Sequence, residues 1–424
     1  MSAVSHQALH QSSSSHREPD DQMKKIFDAM DLSFEELSQC RHALHEHPQV
    51  AYEEEFASDL IAKKLDEWHI EYERGWATTG IVATITGQAN SSRKTIGLRA
   101  DFDALEVEEK TSLPYASRSQ GKMHACGHDG HTATLLAAAK YLSETRNFDG
   151  TVKLIFQPAE EVADSGAAKM IEEGLLQSHP MDAIYGVHNW PSLQVGKVAM
   201  RTGGMLASVD RFDVTIRGRG GHGAMPHLTV DPVIVSTYIV SQIQSIISRE
   251  LSPSSPAVIS VTNINGGTGA YSVIPEYVKF SGTIRALDQK TREYVIRRIE
   301  EICNLIASSH SATARCYFAA ENDPTVNDAR CVTFCSAVAS EVVGDHNVIT
   351  DYDPCMGGED FGVFLKHIPG AFVFLGQATS DPQSPHNRSL HNDRYDFNDE
   401  LIKIGGAYFA RLVERSMPLA SAAE

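Results

Sequence analysis

The stretch Gly150-Thr-Val-Lys-Leu-Ile-Phe-Gln157 decides the fold class. It is an apolar run that begins at a glycine and ends at a polar residue, and this pattern predicts a buried strand. A helix is predicted on each side of it, from Thr132 to Leu142 and from Ala167 to Gly174. Two more predicted strands precede it, over residues 80–87 and 95–100. Strands that alternate with helices predict an α/β domain with a central, mostly parallel sheet flanked by helices.

The pattern changes near residue 207. Residues 211–218 alternate apolar and polar side chains with a period of two, which is typical of a sheet with one solvent-exposed face. Two helical segments, 230–251 and 291–308, follow among further strands, and together they predict an inserted α+β domain. The expected boundaries are residues 1–22 for a disordered tail, 23–206 and 323–424 for a discontinuous main domain, and 207–322 for the insert.

Composition and charge limit the classes of function. The chain has 424 residues, of which 42% are hydrophobic and 22% charged, as in ordinary globular proteins. A formal net charge of −18 argues against nucleic acid or an anionic membrane as the main partner. No apolar run is long enough to cross a membrane, and residues 1–21 contain no apolar core of a secretory signal. Because the seven cysteines are irregularly spaced, we expect a cytoplasmic protein with free thiols.

The segment Met123-His-Ala-Cys-Gly-His-Asp-Gly-His131 is the first cluster of candidate metal ligands. Cys126 and His128 are two residues apart, so in an extended segment both side chains leave the chain on one face. A thiolate and an imidazole placed in this way can hold one metal ion. The alternative is a polar turn that caps the next helix, but four candidate ligands within nine residues favour the metal site.

The other candidates are ambiguous when each is taken alone. Glu160 and Glu161 follow the buried strand, at the end where open α/β sheets place their sites, but adjacent acids also suit a solvated helix start. His188 follows a short apolar run and by itself is typical of a structural core histidine, and His391 lies between a turn and a helix. Asp103 has two interpretations: its carboxylate orients a metal-bound histidine, or it is part of a plain turn.

Taken together and in order, these segments resemble one known family, the co-catalytic di-metal amidohydrolases. That family includes hippurate hydrolase, auxin-conjugate amidohydrolases, bacterial aminoacylases and, more distantly, carboxypeptidase G. The resemblance runs from about residue 35 to residue 410. The motifs that carry it are His45-Glu-His-Pro48, Arg99-Ala-Asp-Phe-Asp-Ala-Leu105, His124-Ala-Cys-Gly-His-Asp-Gly-His131, Pro158-Ala-Glu-Glu161, Gly220-Gly-His-Gly-Ala-Met-Pro-His227, Gly357-Gly-Glu-Asp-Phe361 and Leu390-His391.

The resemblance implies a phosphorylase/hydrolase-like catalytic domain with two divalent metal ions, and a ferredoxin-like insert that acts as a lid and forms a homodimer. Zn²⁺ or Mn²⁺ is expected, with Co²⁺ and Ni²⁺ as alternatives. For Arg285, a structural ion pair is the alternative to a role in substrate binding. The implied roles are metal ligation for Cys126, His128, Glu161, His188 and His391, proton transfer for Glu160, oxyanion stabilisation from the partner subunit for His222, substrate binding for Arg285 and Asn263, and orientation of a metal-bound histidine for Asp103.

The implied activity is hydrolysis of the linear amide bond of N-acyl amino acids, by a water that bridges the metals and is activated by Glu160. An exopeptidase or dipeptidase on the same scaffold is one alternative, and tolerance of a free α-amino group in the substrate would favour it. A metal-independent cysteine hydrolase with Cys126 as nucleophile is an alternative from another class. A non-catalytic binding protein is disfavoured, because every candidate ligand and the candidate base are present.

Overall fold

The computed structural model describes residues 21–420, which form a large mixed sheet flanked by helices and a smaller antiparallel sheet that carries two helices. Up to residue 206 the elements are α1 (Asp21–Glu46), α2 (Glu55–Glu67), β1 (Glu71–Trp76), β2 (Gly80–Thr86), β3 (Thr95–Asp101), α3 (His128–Thr145), β4 (Thr151–Gln157), α4 (Gly166–Glu172), α5 (Leu175–Ser178), β5 (Ala183–Gln194), β6 (Val198–Ala199) and β7 (Gly203–Leu206).

The insert, residues 208–322, is followed by the rest of the main domain. The insert contains β8 (Ser208–Arg217), β9 (Gly221–His222), α6 (Pro232–Ser245), β10 (Ala257–Gly266), β11 (Val273–Ile274), β12 (Tyr277–Ala286), α7 (Gln289–Ser309) and β13 (Thr313–Asn322). After it come β14 (Thr325–Asn327), α8 (Ala329–Val343), β15 (Val348–Ile349), α9 (Phe361–Leu365), β16 (Gly370–Ala378) and α10 (Glu400–Ser416).

The large sheet has the strand order β1-β2-β4-β3-β5-β16-β6-β15. Its four central strands, β4, β3, β5 and β16, run parallel, whereas β1, β2 and β6 each pair antiparallel with a neighbour. The prediction of a mostly parallel sheet flanked by helices is confirmed. The carboxyl ends of the central strands therefore meet at one edge, where open α/β sheets bind ligands.

Both faces of the large sheet are buried. In β2, Ile81 and Ala83 belong to one hydrophobic cluster with α1, α3 and α10, whereas Val82 belongs to a second cluster with α4, α5 and α9. Successive side chains of a strand point to opposite faces, so a strand covered on both faces is apolar at nearly every position. This explains why β4 is a continuous apolar run rather than an alternating one.

The insert has the chain order β8-α6-β10-β12-α7-β13 and the sheet order β10-β12-β8-β13, in which all pairs are antiparallel. This is the ferredoxin-like arrangement, so that prediction is confirmed. Phe212, Val214 and Ile216 alternate along β8 and pack in the hydrophobic core that the sheet forms with α6 and α7. The residues between them are more exposed, as the period-two pattern predicts.

Two predicted boundaries differ from the structure. The predicted helix over residues 230–251 ends earlier, because α6 stops at Ser245 and a π-helical turn follows over Ile246–Glu250. Most of the predicted tail, residues 1–20, lies outside the described residues. Gln22, its last residue, is instead helical and donates hydrogen bonds to Tyr141 and Glu414, which anchor the start of α1. Within residues 21–420 no helix is both long and apolar enough to span a bilayer.

Candidate metal centre

The predicted ligands converge at the carboxyl edge of the large sheet. Cys126 lies just before α3 and His128 is its first residue, whereas Glu161 follows β4. Between the first two, Gly127 has a φ of 94°, and a Cβ there would lie 2.5 Å from Asn189 Oδ1. Only glycine tolerates both that backbone conformation and that close contact, so Gly127 turns the chain sharply between two ligand candidates.

His188 lies within β5 rather than at its end, which differs from the sequence-based interpretation. In the pairing of β3 with β5, Arg99 lies opposite Gly186, so His188 reaches the level at which β3 ends at Asp101. His391 comes from the loop before α10 and has a φ of 63°, a backbone conformation that is uncommon for a residue other than glycine.

These five side chains form two groups that share one thiol. The ligand atoms of Cys126, His128 and His188 lie within 4.8 Å of one another, and those of Cys126, Glu161 and His391 do so as well. The Sγ of Cys126 is 3.5 Å from His188 Nε2. On the other side, Glu161 Oε1 is 3.2 Å from His391 Nε2. The structure therefore brings all five predicted ligands together as two triads joined at Cys126.

The chemistry of these groups fits a pair of cations. His128 Nε2 and Glu161 Oε1 are buried, lie 3.9 Å apart and form no hydrogen bond with the described residues; the contact of Oε1 with His391 Nε2 at 3.2 Å is an ion-pair contact without hydrogen-bond geometry. A buried polar atom without a partner costs roughly 1–3 kcal/mol, and a bound cation would satisfy both atoms. Burial raises the pKa of the Cys126 thiol, and Glu161 and Glu160 raise it further, so a nearby cation is needed to stabilise the thiolate.

Asp103 contacts two of the predicted ligands. Its Oδ1 lies 3.1 Å from His128 Nδ1, and its Oδ2 accepts a hydrogen bond of 2.9 Å from the backbone N–H of Glu161. Burial alone would lower the pKa of His128, but Asp101 and Asp103 outweigh it and raise that pKa to about 10. The two carboxylates thus make the His128 imidazole more basic, and the contact of Asp103 with Nδ1 leaves Nε2 directed toward the shared space of the triads.

Glu160 stands beside both triads. It is 8% exposed, and its Oε1 accepts a hydrogen bond from the backbone N–H of Asp360 at 3.4 Å. Burial raises the pKa of Glu160 well above its usual range, and the charges of Glu359 and Glu161 raise it further. A carboxylate in such surroundings accepts a proton readily, which is the property of a general base.

Other buried polar groups beside the triads already have partners. His131 Nδ1 is 2.6 Å from Asp101 Oδ1, and its Nε2 is 2.7 Å from Asn189 Oδ1, so neither ring nitrogen is free for a metal. Arg99 is 1% exposed, and its guanidinium lies 2.7 Å from Asp101, 3.0 Å from Glu359 and 2.8 Å from Asp360. The motif Arg99-Ala-Asp-Phe-Asp-Ala-Leu105 does not reveal this role of Arg99, because two of its partners, Glu359 and Asp360, are remote in sequence.

A cavity of about 490 Å³ opens onto both triads and extends to the insert. Arg285, on β12, lines it and forms no ion pair with any residue in the range 21–420. Asn322 also lines it, and its Oδ1 is buried without a hydrogen-bond partner among the described residues. The pairing of β13 with β8 shifts between Ala320 and Asn322, and sequence alone does not reveal such a bulge. Nothing therefore singled out Asn322 in advance.

Two predicted site residues are not brought to this cavity. His222 is exposed on the insert, where its Nδ1 accepts a hydrogen bond of 3.1 Å from the backbone N–H of Ala224. Asn263 is exposed as well, and its Nδ2 lies 3.3 Å from Ser281 Oγ. Neither side chain lines the cavity of its own chain. Their roles remain predictions.

Comparison with known proteins gives concordant matches. The sequence profile of Peptidase family M20/M25/M40 matches residues 97–415. Hippurate hydrolase from Campylobacter jejuni is 38% identical over 390 residues, which are 92% of this chain and 98% of the relative. N-acetyl-L-cysteine deacetylase from Bacillus subtilis is 40% identical over 375 residues, covering 88% and 86%. The crystal structure of the Bacillus subtilis YXEP protein, a dinuclear metal binding peptidase, superposes with a TM-score of 0.79 at 32% identity, covering 91% and 99%.

Replacing Asp103 with asparagine should weaken metal binding without unfolding the protein. The amide keeps the size of the side chain but lacks the charge that serves both His128 and Glu161, and loss of such a partner typically lowers metal affinity about 10- to 100-fold. The Zn²⁺ dissociation constants are measured by competition with a chromophoric chelator. Asp66→Asn is the matched control, because Asp66 is exposed and, among the described residues, its carboxylate is hydrogen-bonded only by Tyr72. Unchanged affinity in Asp103→Asn would contradict the orienting role.

Proposed function

This chain belongs to Peptidase family M20/M25/M40, and we propose that it hydrolyses the amide bond of N-acyl amino acids with two divalent metal ions and a glutamate base. That it is an amide-bond hydrolase follows from its relatives. The observation that carries the proposal is the pair of ligand triads joined at Cys126, with Glu160 beside them. The substrate class is supported by the names of two relatives, a hippurate hydrolase and an N-acetyl-L-cysteine deacetylase.

One ion would be held by Cys126, His128 and His188, and the other by Cys126, Glu161 and His391. A set of sulfur, nitrogen and oxygen donors suits Zn²⁺ or Mn²⁺, with Co²⁺ and Ni²⁺ as alternatives. Two such cations would supply Lewis acidity, which would lower the pKa of water at the site and polarise the scissile carbonyl. Glu160 belongs to neither triad, so we assign proton transfer to it.

Glu160 acts as the general base in this proposal. Its buried carboxylate takes a proton from the attacking water and returns it to the nitrogen of the departing amine, so the hydroxyl enters the acyl product and the amine leaves neutral. The hydrogen bond from the Asp360 N–H holds one carboxylate oxygen in place. Burial and the surrounding acids make this carboxylate more basic than an exposed one, as the raised pKa indicates.

Glu160→Gln tests this role. The amide cannot accept the proton, so kcat should fall about 10²- to 10⁴-fold, which is the usual contribution of a general base. Because Glu160 is not in either triad, two metal ions per chain should remain, as measured by plasma mass spectrometry. The neighbouring variant Glu161→Gln should instead lose metal. Near-native turnover in Glu160→Gln would refute the assignment.

The cysteine hydrolase alternative is disfavoured by the electrostatics of Cys126 and His188. A nucleophilic pair needs a thiolate beside an imidazolium. Burial has the opposite effect on both groups, since it raises the pKa of Cys126 and lowers that of His188 well below its usual range. Both groups therefore favour their neutral forms when no cation is bound. The exopeptidase alternative uses the same centre and differs only in the acyl half of the substrate.

Arg285 is proposed to bind the substrate carboxylate. It is half-buried, lines the cavity that contains both triads and has no carboxylate partner within the described part of the chain. A guanidinium binds a carboxylate through two parallel hydrogen bonds, which fixes orientation as well as charge. An N-acyl amino acid offers that carboxylate one carbon atom from the scissile nitrogen. This supports the substrate class over neutral amides.

Arg285→Ala should therefore raise KM selectively. A hydrogen bond to a charged group contributes roughly 1.5–3 kcal/mol, so kcat/KM for an N-benzoyl amino acid should fall about 10- to 150-fold. The matching N-benzoyl amino-acid amide lacks the carboxylate and should be cleaved by the variant and the parent at similar rates. Arg217→Ala is the control, because Arg217 is an exposed arginine of the same sheet. Equal losses on both substrates would exclude carboxylate recognition.

We also propose that two chains associate through the insert, and that His222 serves the site of the partner subunit. The outer face of α6 carries Val233, Ile234 and Tyr238, which are 40%, 47% and 51% exposed. Exposed apolar residues grouped on one helix face are typical of an interaction surface. Because His222 does not line the cavity of its own chain, we assign its oxyanion role to the site of a second copy.

Mixed dimers distinguish action within a chain from action across the interface. Glu160→Gln and His222→Ala chains are each inactive alone in this proposal. In a mixed dimer, one site combines an intact Glu160 with an intact His222 from the other chain. Random mixing of the two inactive variants should thus restore about one quarter of the parental activity, because half of the dimers are mixed and each has one complete site. No restoration would show that His222 acts within its own chain or not at all.

A further inference from the structure

The residue before the proposed base has an unusual backbone conformation. Ala159 has a φ of 56°, in the left-handed region that residues with a Cβ rarely adopt. It is fully buried and lies immediately before Glu160 and Glu161. A left-handed residue reverses the local direction of the chain, so it determines where the next two side chains point. A conformation of this kind persists only when surrounding contacts hold it.

The peptide groups on both sides of Ala159 are held. Its C=O accepts a hydrogen bond of 2.9 Å from the N–H of Gly166. Its N–H donates to Glu54 Oε1 at 3.0 Å, and the second carboxylate oxygen of Glu54 accepts a hydrogen bond of 2.8 Å from the Thr79 hydroxyl. Glu54 is 0% exposed and comes from a distant part of the chain, just before α2.

Glu54 is placed at a cost that no ion pair offsets. Within residues 21–420 it lies in no salt bridge, and its side chain does not cap α2. A buried carboxyl group without a counter-ion is unfavourable. Burial raises the pKa of Glu54, the charge of Asp103 adds to this, and the pKa reaches about 7. The stabilising contacts of the Glu54 side chain are the two hydrogen bonds that it accepts, from the Thr79 hydroxyl and from the Ala159 N–H.

We propose that Glu54 is a positioning residue for the general base, holding Ala159 in its left-handed conformation so that Glu160 faces the substrate while Glu161 faces the metals. The proposal rests on the role proposed above for Glu160. Asp103 fixes the other end of the same segment, since it accepts the N–H of Glu161. The Glu160–Glu161 pair is thus held at both ends by buried carboxyl groups, and small displacements of a catalytic group are costly, about 10²-fold in rate for 1 Å.

The test compares four variants of the full-length, metal-loaded enzyme. Glu54→Ala removes both hydrogen bonds. Glu54→Gln keeps them, because the amide oxygen accepts the Ala159 N–H and the amide nitrogen faces the Thr79 hydroxyl. Glu54→Ala/Ala159→Gly removes Glu54 but also the steric penalty, since glycine adopts positive φ freely. Glu53→Ala is the matched control, because the Glu53 side chain is 63% exposed and its one ion pair within residues 21–420 is with Lys122.

Glu54→Ala should lower kcat about 10- to 100-fold while KM and metal content stay within about threefold. Amide hydrogen exchange of the peptide that spans residues 158–166 should become faster, which reports on the segment independently of activity. Glu54→Gln should retain kcat within about threefold, and the added Ala159→Gly should recover part of the loss. Glu53→Ala should behave as the parent in every measurement.

A native kcat in Glu54→Ala would overturn the proposal, and so would loss of metal from that variant. A Glu54→Gln variant with as low a kcat as Glu54→Ala would overturn it as well. If Glu54→Ala does not fold, Thr79→Val decides, because it removes one hydrogen bond to Glu54 and leaves the segment intact. Its kcat should fall by less, and Ala159→Gly should again suppress the loss; failure of either overturns the proposal. If the parent enzyme hydrolyses no N-acyl amino acid, the proposed function itself has failed, and this is measured before any variant.

Discussion

The central constraint on this structure is the crowding of acidic groups where the parallel strands end. Glu160, Glu161 and Cys126 all lie in overlapping clusters whose ligand atoms are within 4.8 Å of one another, and Glu359 and Asp360 adjoin them. Charges this close repel strongly in a buried site. Burial raises the pKa values of Glu160 and Cys126, and the repulsion from these neighbouring acids raises them further. The arrangement becomes favourable only when cations are present, so the fold is organised to hold positive charge here.

The positive charge that balances these acids comes from two different sources. Some of the acids pair with an arginine, and others are placed to bind metal ions. On one side Arg99 is a fixed, buried cation against Asp101, Glu359 and Asp360. On the other side no arginine or lysine of residues 21–420 pairs with the two triads, and the proposed metal ions take that place. Glu160 lies between the two regions. The acids of both regions raise the proton affinity of Glu160. Glu160 itself belongs neither to the triads nor to the ion-pair partners of Arg99.

The sequence predicted what depends on local pattern. The apolar run of β4, the alternation in β8 and the Cys126/His128 spacing are local features, and they led to the correct fold class and to a resemblance that the family matches confirm. Contacts between distant segments were not predictable in this way. The hydrogen bond of Glu54 to Ala159 spans 105 residues, and the bulge that turns Asn322 into the cavity depends on strand pairing in three dimensions.

The role of Gly358 also depends on contacts between distant segments, so its motif alone does not show why a glycine is needed there. A Cβ at this position would lie 2.5 Å from Val209 Cγ2 and 3.2 Å from Asn322 Nδ2, so the glycine is needed where the insert approaches the main domain. Arg292 joins the two segments by which the chain enters and leaves the insert, with contacts of 2.7 Å to Asp210 and 2.5 Å to Asp323. These contacts tie the start and the end of the insert together where it joins the main domain. The position of a substrate-binding group on β12 therefore depends on how the insert packs against the main domain at the cavity, and chemistry and domain geometry cannot be assigned to separate parts of this chain.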